Sequence, residues 1–313
     1  MLLGRAANGL YWMNRYIERA ENMARLVDTG HRLALTQTGT ATDEWMSVMT
    51  SAGVRQAFDA RNRPYDAAAV VDFLLRDPDN PSSVMTCMET ARINGRLVRT
   101  SLTREVWESV NEAWMALRRI LGQKVDEREL PWVLDAIKRE TALIRGAFHG
   151  TMLRNEIFDF AKLGTLMERA DSTARILDVK YWVLLPSVSW VGSTFDTHQW
   201  QTILRSVSAQ RSFRWSYEGE YTPANVADYI ILNRRMPRSL AYCHSGICDA
   251  LGFLAEEYGT RHTSHQMAQN MLTKLRSATI ADIFEEGLHE FLTEFLRSNA
   301  ALADQIAVDY RFY

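Results

Sequence analysis

Residues 15–28 read RYIERAENMARLVD, and residues 165–178 read TLMERADSTARILD. Aligned at an offset of 150, the stretches share Glu18/Glu168, Arg19/Arg169, Ala20/Ala170, Ala24/Ala174, Arg25/Arg175 and Asp28/Asp178, and Glu21/Asp171 keeps its charge. In the first stretch Ile17, Ala20, Ala24 and Val27 fall on one helical face. Glu18, Glu21, Asn22, Arg25 and Asp28 sit at i, i+3, i+4, i+7 and i+10, so they form one polar stripe. A helix whose charged face occurs twice, half a chain apart, decides the reading of everything around it.

The match continues outward. Trp45 is answered by Trp200 and Phe58 by Phe213, both at offset 155. At offset 156, Asp72-Phe73-Leu74-Leu75 is answered by Asp228-Tyr229-Ile230-Ile231. At the same offset, Pro81-Ser82-Ser83-Val84 with Cys87 is answered by Pro237-Arg238-Ser239-Leu240 with Cys243. Blocks in the same order at a nearly constant offset read as a duplicated helical unit. Two copies make a pseudo-symmetric pair, not a solenoid. The expected fold is all-α: two pseudo-symmetric duplicated helical bundles, residues 1–150 and 151–313, packed into one compact unit with a seam near Gly146 to Asn155.

The composition agrees with helices. Only 16 Gly and 7 Pro punctuate 313 residues, and 47% of the chain is hydrophobic. The first helix is expected from Gly4 to Leu35, and a turn at Gly39–Asp43. Next come a short helix around Trp45–Ala52, a polar link at Ala60–Asp66 and a helix at Ala67–Leu75. Asn80 is a candidate N-cap, with Pro81 in the first turn of a helix reaching Leu102. Glu105–Leu121 is amphipathic with Val106, Val110, Trp114 and Leu117 inward, and Pro131 opens the next helix. Ser264–Tyr313 is expected to form two more.

Several functions are disfavoured. A net charge of −2 argues against a general nucleic-acid binder. No apolar window is long enough for a membrane span, and Arg5 and Asn8 break any signal-peptide core, so the cytoplasm is the expected location. Cys87, Cys243 and Cys248 match no zinc spacing and are expected to be buried thiols. Glu286-Gly287-Leu288-His289 is a single Glu-x-x-His, where di-metal bundles use two, so no metal is expected. No GxxxxGK[ST], GxGxxG or GxSxG occurs, and no cofactor is expected. Trp190 and Trp215 lie in less periodic stretches and are the candidates for an exposed surface, although burial is the commoner fate of tryptophan.

The Glu-Arg stripe has three readings: a solvated surface face, an internal ion-pair network, or a polar pocket between the halves. Glu21/Arg25 and Asp171/Arg175 are helix-supporting i, i+4 pairs, and Glu18 with Arg175 and Glu168 with Arg25 could close a reciprocal network across the two helices. Buried ion pairs cost desolvation and return little net stability, so a duplicated set invites a functional reading. In that reading Glu18 and Glu168 handle protons or an amine, while Arg19, Arg25, Arg169 and Arg175 hold a carboxylate or phosphate. Arg92, Arg96 and Arg99 form a basic stripe present once. It is a solvated face, a partner for the acidic helices, or an anion site; Cys248, Gly252 and Ala255 take its place in the second copy.

Leu10–Asp28, the block PSSVMTCMETARINGR and Leu163–Asp178 together resemble the bacterial alpha-E family, a helical domain named for its Glu-Arg motif and without a settled biochemical function. The resemblance covers essentially the whole chain. Asn14 stands where the family usually has Gly before Arg-Tyr, as Gly164 does in the second copy, and Ile93 and Gly95 depart from the family's A-R-E-N-A-R block. The resemblance implies a setting. Family members are typically encoded beside, or fused to, circularly permuted ATP-grasp proteins and transglutaminase-like cysteine proteases, a pairing suited to forming and cutting amide bonds on peptides or small amino compounds. The implied site is Glu18, Arg19, Glu21 and Arg25 with Glu168, Arg169, Asp171 and Arg175. Two functions follow: a non-catalytic partner or peptide-binding module, or an enzyme acting on an amide or amine between the repeats. The deciding feature is whether the carboxylates are closed by arginines or face a pocket.

Overall fold

The computed structural model describes residues 2, 4–35, 41–183 and 194–312. The described residues are helical with no strand. The first half holds α1 (Gly4–Ala34), α2 (Ala41–Ser51), α3 (Arg55–Asp59), α4 (Ala67–Leu75), α5 (Val84–Leu97), α6 (Arg104–Ile120) and α7 (Leu130–Thr151). The second holds α8 (Glu156–Val183), α9 (Thr194–Ser206), α10 (Gln210–Tyr217), α11 (Pro223–Ile231), α12 (Leu240–Tyr258), α13 (Thr263–Ser277), α14 (Ile280–Glu286) and α15 (Leu288–Asp309). Trp190 and part of the expected Gly39–Asp43 turn lie outside the described residues.

α1 has no proline and is rich in alanine and leucine, so nothing interrupts its ladder. It is buried on most sides, because it packs against α2, α4, α5, α7, α8 and α9. α8 is the second axis and packs against α1, α2, α12 and α15. The two meet at Gly164, where a Cβ would run into the backbone carbonyl of Tyr11. Glycine is required there for close approach. The apolar residues of both halves, from Ala7 to Tyr310, belong to one continuous cluster, so the core does not divide at the seam. A small satellite of Val106, Phe148, Met152, Phe158 and Ala161 fills the corner where α7 turns into α8.

The blocks matched in the sequence fold alike locally. α4 and α11 are both 9 residues long. Ser83 caps α5 by accepting the Thr86 N–H at 3.2 Å, and Ser239 caps α12 by accepting that of Tyr242 at 3.0 Å. The Cys87 and Cys243 thiols point at the carbonyls of Pro81 and Pro237, at 3.7 and 3.9 Å. Trp45, Trp200, Phe58 and Phe213 are all core residues.

Some boundaries differ from expectation. Asn80 is not the cap of α5: its Oδ1 accepts from Ser82 N–H and its Nδ2 donates to the Phe73 carbonyl, so it ties the turn together and the cap falls three residues later at Ser83. α5 stops at Leu97, and Arg99 lies in a 3₁₀ turn, Arg99–Ser101, leading to the Thr103 cap of α6. Arg92, Arg96 and Arg99 therefore do not form one helical stripe. The tail has three helices, because Gly287 at φ 102 breaks α14 from α15. Trp114 is half-buried and packs against the core, and Trp215 is 78% exposed, against the usual burial of tryptophan.

Candidate functional site

The charged faces of α1 and α8 meet at the centre. The Arg169 Nε and Nη2 donate to the two oxygens of Glu18 at 2.9 and 3.0 Å. In the mirrored direction, Arg19 Nε and Nη2 donate to the two oxygens of Glu168 at 2.5 and 2.9 Å, joined by Arg15 Nε at 2.8 Å. Each motif carboxylate is thus held bidentately by the motif arginine of the other helix. Arg175 and Arg25, the expected partners of Glu18 and Glu168, do not meet them. They lie six residues beyond the motif arginines, about 9 Å of helix rise, and pair within their own helices: Arg25 with Glu21 at 2.6 Å and Arg175 with Asp171 at 2.7 Å.

The two ends are unequal. Glu18 also accepts from Arg238 Nη1 at 2.9 Å, and Arg145 Nη1 lies 3.5 Å from it. Glu21 accepts from Arg25, from Arg238 Nη2 at 2.6 Å, from the Thr141 hydroxyl at 3.0 Å and from Arg145. Burial by itself raises a carboxyl pKa. At Glu18 that effect is outweighed by Arg169 and Arg238, which hold the group at about 2. Burial is outweighed in the same way at Glu21 by Arg238, Arg25 and Arg145, and at Glu168 by Arg19 and Arg15, so both stay ionised. Glu18, Glu21 and Glu168 are at most 4% exposed.

The carboxylates are closed, but a pocket opens beside them. It has a volume of about 240 Å³ and reaches Arg145 and Arg169 from the solvent side. Lys162 and Arg234 add cations, Phe148, Phe158 and Tyr242 add aromatic walls, and Asp249 is its one acid. At offset 150, Thr165 stands in the place of Arg15, Lys162 in that of Trp12 and Leu166 in that of Tyr16. Around Glu168 the larger set fills space: Arg15 lies over the Trp12 ring at 4.8 Å, and Trp12 contacts Tyr16 at 5.5 Å. Around Glu18 the smaller set leaves the hollow.

Other singled-out residues lie elsewhere. Arg92 donates to Asn111 Oδ1 at 2.7 Å and covers the Trp114 ring at 4.3 Å, and Arg99 lies over Trp107 at 5.7 Å. Arg96 is exposed. The three spread along the α5–α6 face and do not converge on the Glu-Arg centre. Cys87 and Cys243 are completely buried, and burial pushes both thiols up to about 12. Glu286 ends α14, whereas His289 belongs to α15 and pairs with Asp178 at 2.7 Å, so the Glu-x-x-His spacing does not lie on one helix. Among the described residues no group of three or more His, Cys, Asp or Glu is placed to hold a metal ion. None of their helices is long and apolar enough to cross a membrane.

Three arginines of the centre escaped the reading of the sequence. Arg238 had a signal, since it replaces Ser82 in otherwise matching blocks. Arg15 had one too, standing against Thr165. Arg145 had none, because no matched block covers α7.

Residues 2–310 match the model of the family Alpha-E, described as a predicted alpha-helical domain with a conserved ER motif. Uncharacterised proteins of Mycobacterium bovis and Mycobacterium tuberculosis are 24% identical over 326 residues, which takes in 96% of this chain and 36% of theirs. The chain thus spans about a third of the length of these curated relatives. No solved structure matches.

Proposed function

Because this chain belongs to the Alpha-E family, we propose that it is a non-catalytic helical component of a cytoplasmic ATP-grasp/transglutaminase-associated system that ligates peptides or amides, serving as partner or substrate-binding part. The family resemblance supports the setting. One observation supports the non-catalytic role: both motif carboxylates, Glu18 and Glu168, are buried and each is closed by arginines. A general acid or base needs a pKa near the working pH and access to the proton it moves. A carboxylate held at about 2 behind Arg169 has neither. The alternative enzyme that uses these glutamates on an amide or amine loses its proton-handling groups. What the pair supplies instead is a fixed guanidinium surface.

The experiment is capture of the neighbouring ATP-grasp protein on this chain, followed by its ATP hydrolysis with and without the chain. Stable capture with a changed hydrolysis rate is the expected outcome. Absence of binding together with an unaltered rate overturns the proposal.

A further inference from the structure

Charge is unevenly distributed in the centre. Arg25, Arg145, Arg169 and Arg238 surround Glu18 and Glu21, so four guanidiniums meet two carboxylates. Charges taken out of water are normally matched one for one, because an unmatched ion costs several kcal/mol. The surplus is felt by its neighbours. Burial first, and then the like charges of Arg25 and Arg169, pull Arg238 down to about 10 despite its two glutamates. Burial and the cations Arg154, Arg169, Arg145 and Lys162 all lower His149 at the pocket rim.

The surplus faces the pocket. Arg145 and Arg169 turn one side to the glutamates and the other to the hollow, and their side chains are 25% and 12% exposed. Lys162 and Arg234 line the same hollow and form no ion pair with a described residue. Ser245 adds a hydroxyl to the lining, whereas the Thr165 hydroxyl donates to the Ala161 carbonyl at 3.2 Å. The next hollow along the surface shares Phe158 and Lys162, but Glu156, Asp159, Glu256 and Glu257 make it acidic, so an anion is confined to the Arg169 end. A volume of about 240 Å³ is below the ordinary range for drug-sized ligands.

We propose that the pocket between Arg145, Lys162, Arg169 and Arg234 binds a small dianionic oxyanion, a phosphate monoester or a paired carboxylate, whose charge completes the half-neutralised Glu18/Glu21 cluster. The motif then has a second role. Glu18 fixes the Arg169 guanidinium in place, and the ligand meets a pre-oriented donor whose side-chain entropy is already lost. The site does not depend on the partner proposed above.

The test is titration calorimetry of the intact chain, in a low-chloride buffer, with inorganic phosphate and separately with malonate. Three proteins are compared: the wild type, K162Q/R234Q and the distant surface pair K124Q/R128Q. Lys162 and Arg234 make no hydrogen bond with a described residue, so their removal leaves the fold intact, and thermal melts of all three proteins check this. Saturable binding of phosphate, malonate or both to the wild type is expected, and the tighter of the two identifies the oxyanion class. K162Q/R234Q should weaken it about tenfold or more, as loss of charge-assisted contacts does, while K124Q/R128Q changes it less than about twofold. Absence of saturable binding to the wild type, or equal affinity in all three proteins, overturns the site.

Discussion

Glu18→Gln tests the centre of the molecule directly. The substitution keeps the shape of the side chain and removes one charge from a group that is 1% exposed. It also turns one acceptor oxygen into an NH₂ facing the guanidiniums of Arg169 and Arg238, which have donors only. A carboxyl held at about 2 instead of its ordinary 4.5 stabilises the fold at neutral pH by about 3 kcal/mol. That lies within the range of about 3–5 kcal/mol for breaking a buried ion pair. The surplus of arginine in this cluster pushes the expected loss upward, because removing Glu18 leaves four guanidiniums around one carboxylate. The folded pKa is depressed, so the stabilisation is present above pH 4.5 and is lost as pH falls through the folded value near 2. Urea unfolding at pH 7 should show the variant about 3 kcal/mol less stable, with an unchanged slope on denaturant. The gap between the two proteins should narrow as pH drops below 4.5. A loss under about 1 kcal/mol at pH 7, or a gap that does not depend on pH, refutes the view that the motif glutamate is held charged by its arginines.

Three further outcomes follow from single positions. Gly164→Ala places a methyl group against the Tyr11 carbonyl at the α1–α8 crossing. Backbone cannot move aside as a flexible side chain can, so a loss of about 1–3 kcal/mol or more is expected in a thermal or urea melt, and a neutral result would show that the two helices are not in close contact. His244 is completely buried, and neither ring nitrogen meets the geometry of a hydrogen bond with a described residue, so burial, opposed only by the nearby Asn299 side chain, holds it down at about 4. Its folded pKa is below the ordinary 6.5, so the protein loses stability as pH falls from about 6.5 towards 4. His244→Leu should flatten the stability profile across that window, and an unchanged profile would assign the pH dependence to other groups. With burial pushing both thiols up to about 12, Cys87 and Cys243 should resist a disulfide reagent at pH 8 until the chain is unfolded; rapid labelling of either in the native protein would contradict their burial.

How much of this was legible in the chain differs by level. The all-helical class could be read from periodicity and from the scarcity of glycine and proline, both local properties. The Ala67–Leu75 helix was placed to the residue, because Asp66 caps it and the apolar run is unambiguous. Asn80 misled because an asparagine can cap a helix or close a turn with the same oxygen, and the choice depends on where the next chain segment lies. Arg99 left its helix because α6 had to begin at the Thr103 cap, a constraint set by packing.

The motif residues were found by repetition alone, which required no structure. Their partners were not. Adjacency in a helix is a matter of 3.6 residues per turn, but which arginine meets which glutamate depends on how far two helices are shifted along each other. Here the close approach at Gly164 sets that shift, and it puts Arg169 on Glu18 and Arg19 on Glu168 instead of the arginines six residues on. The stretch 15–28 and its echo at 165–178 therefore determined that charge would be duplicated on two long helices. Only the tertiary structure decided that the carboxylates would be closed and that Arg145 and Arg238 would crowd one end. It also decided that Thr165, standing where the other copy has Arg15, would leave a cationic hollow. Those outcomes depend on distances between segments remote in the chain, and no local pattern of residues encodes such distances.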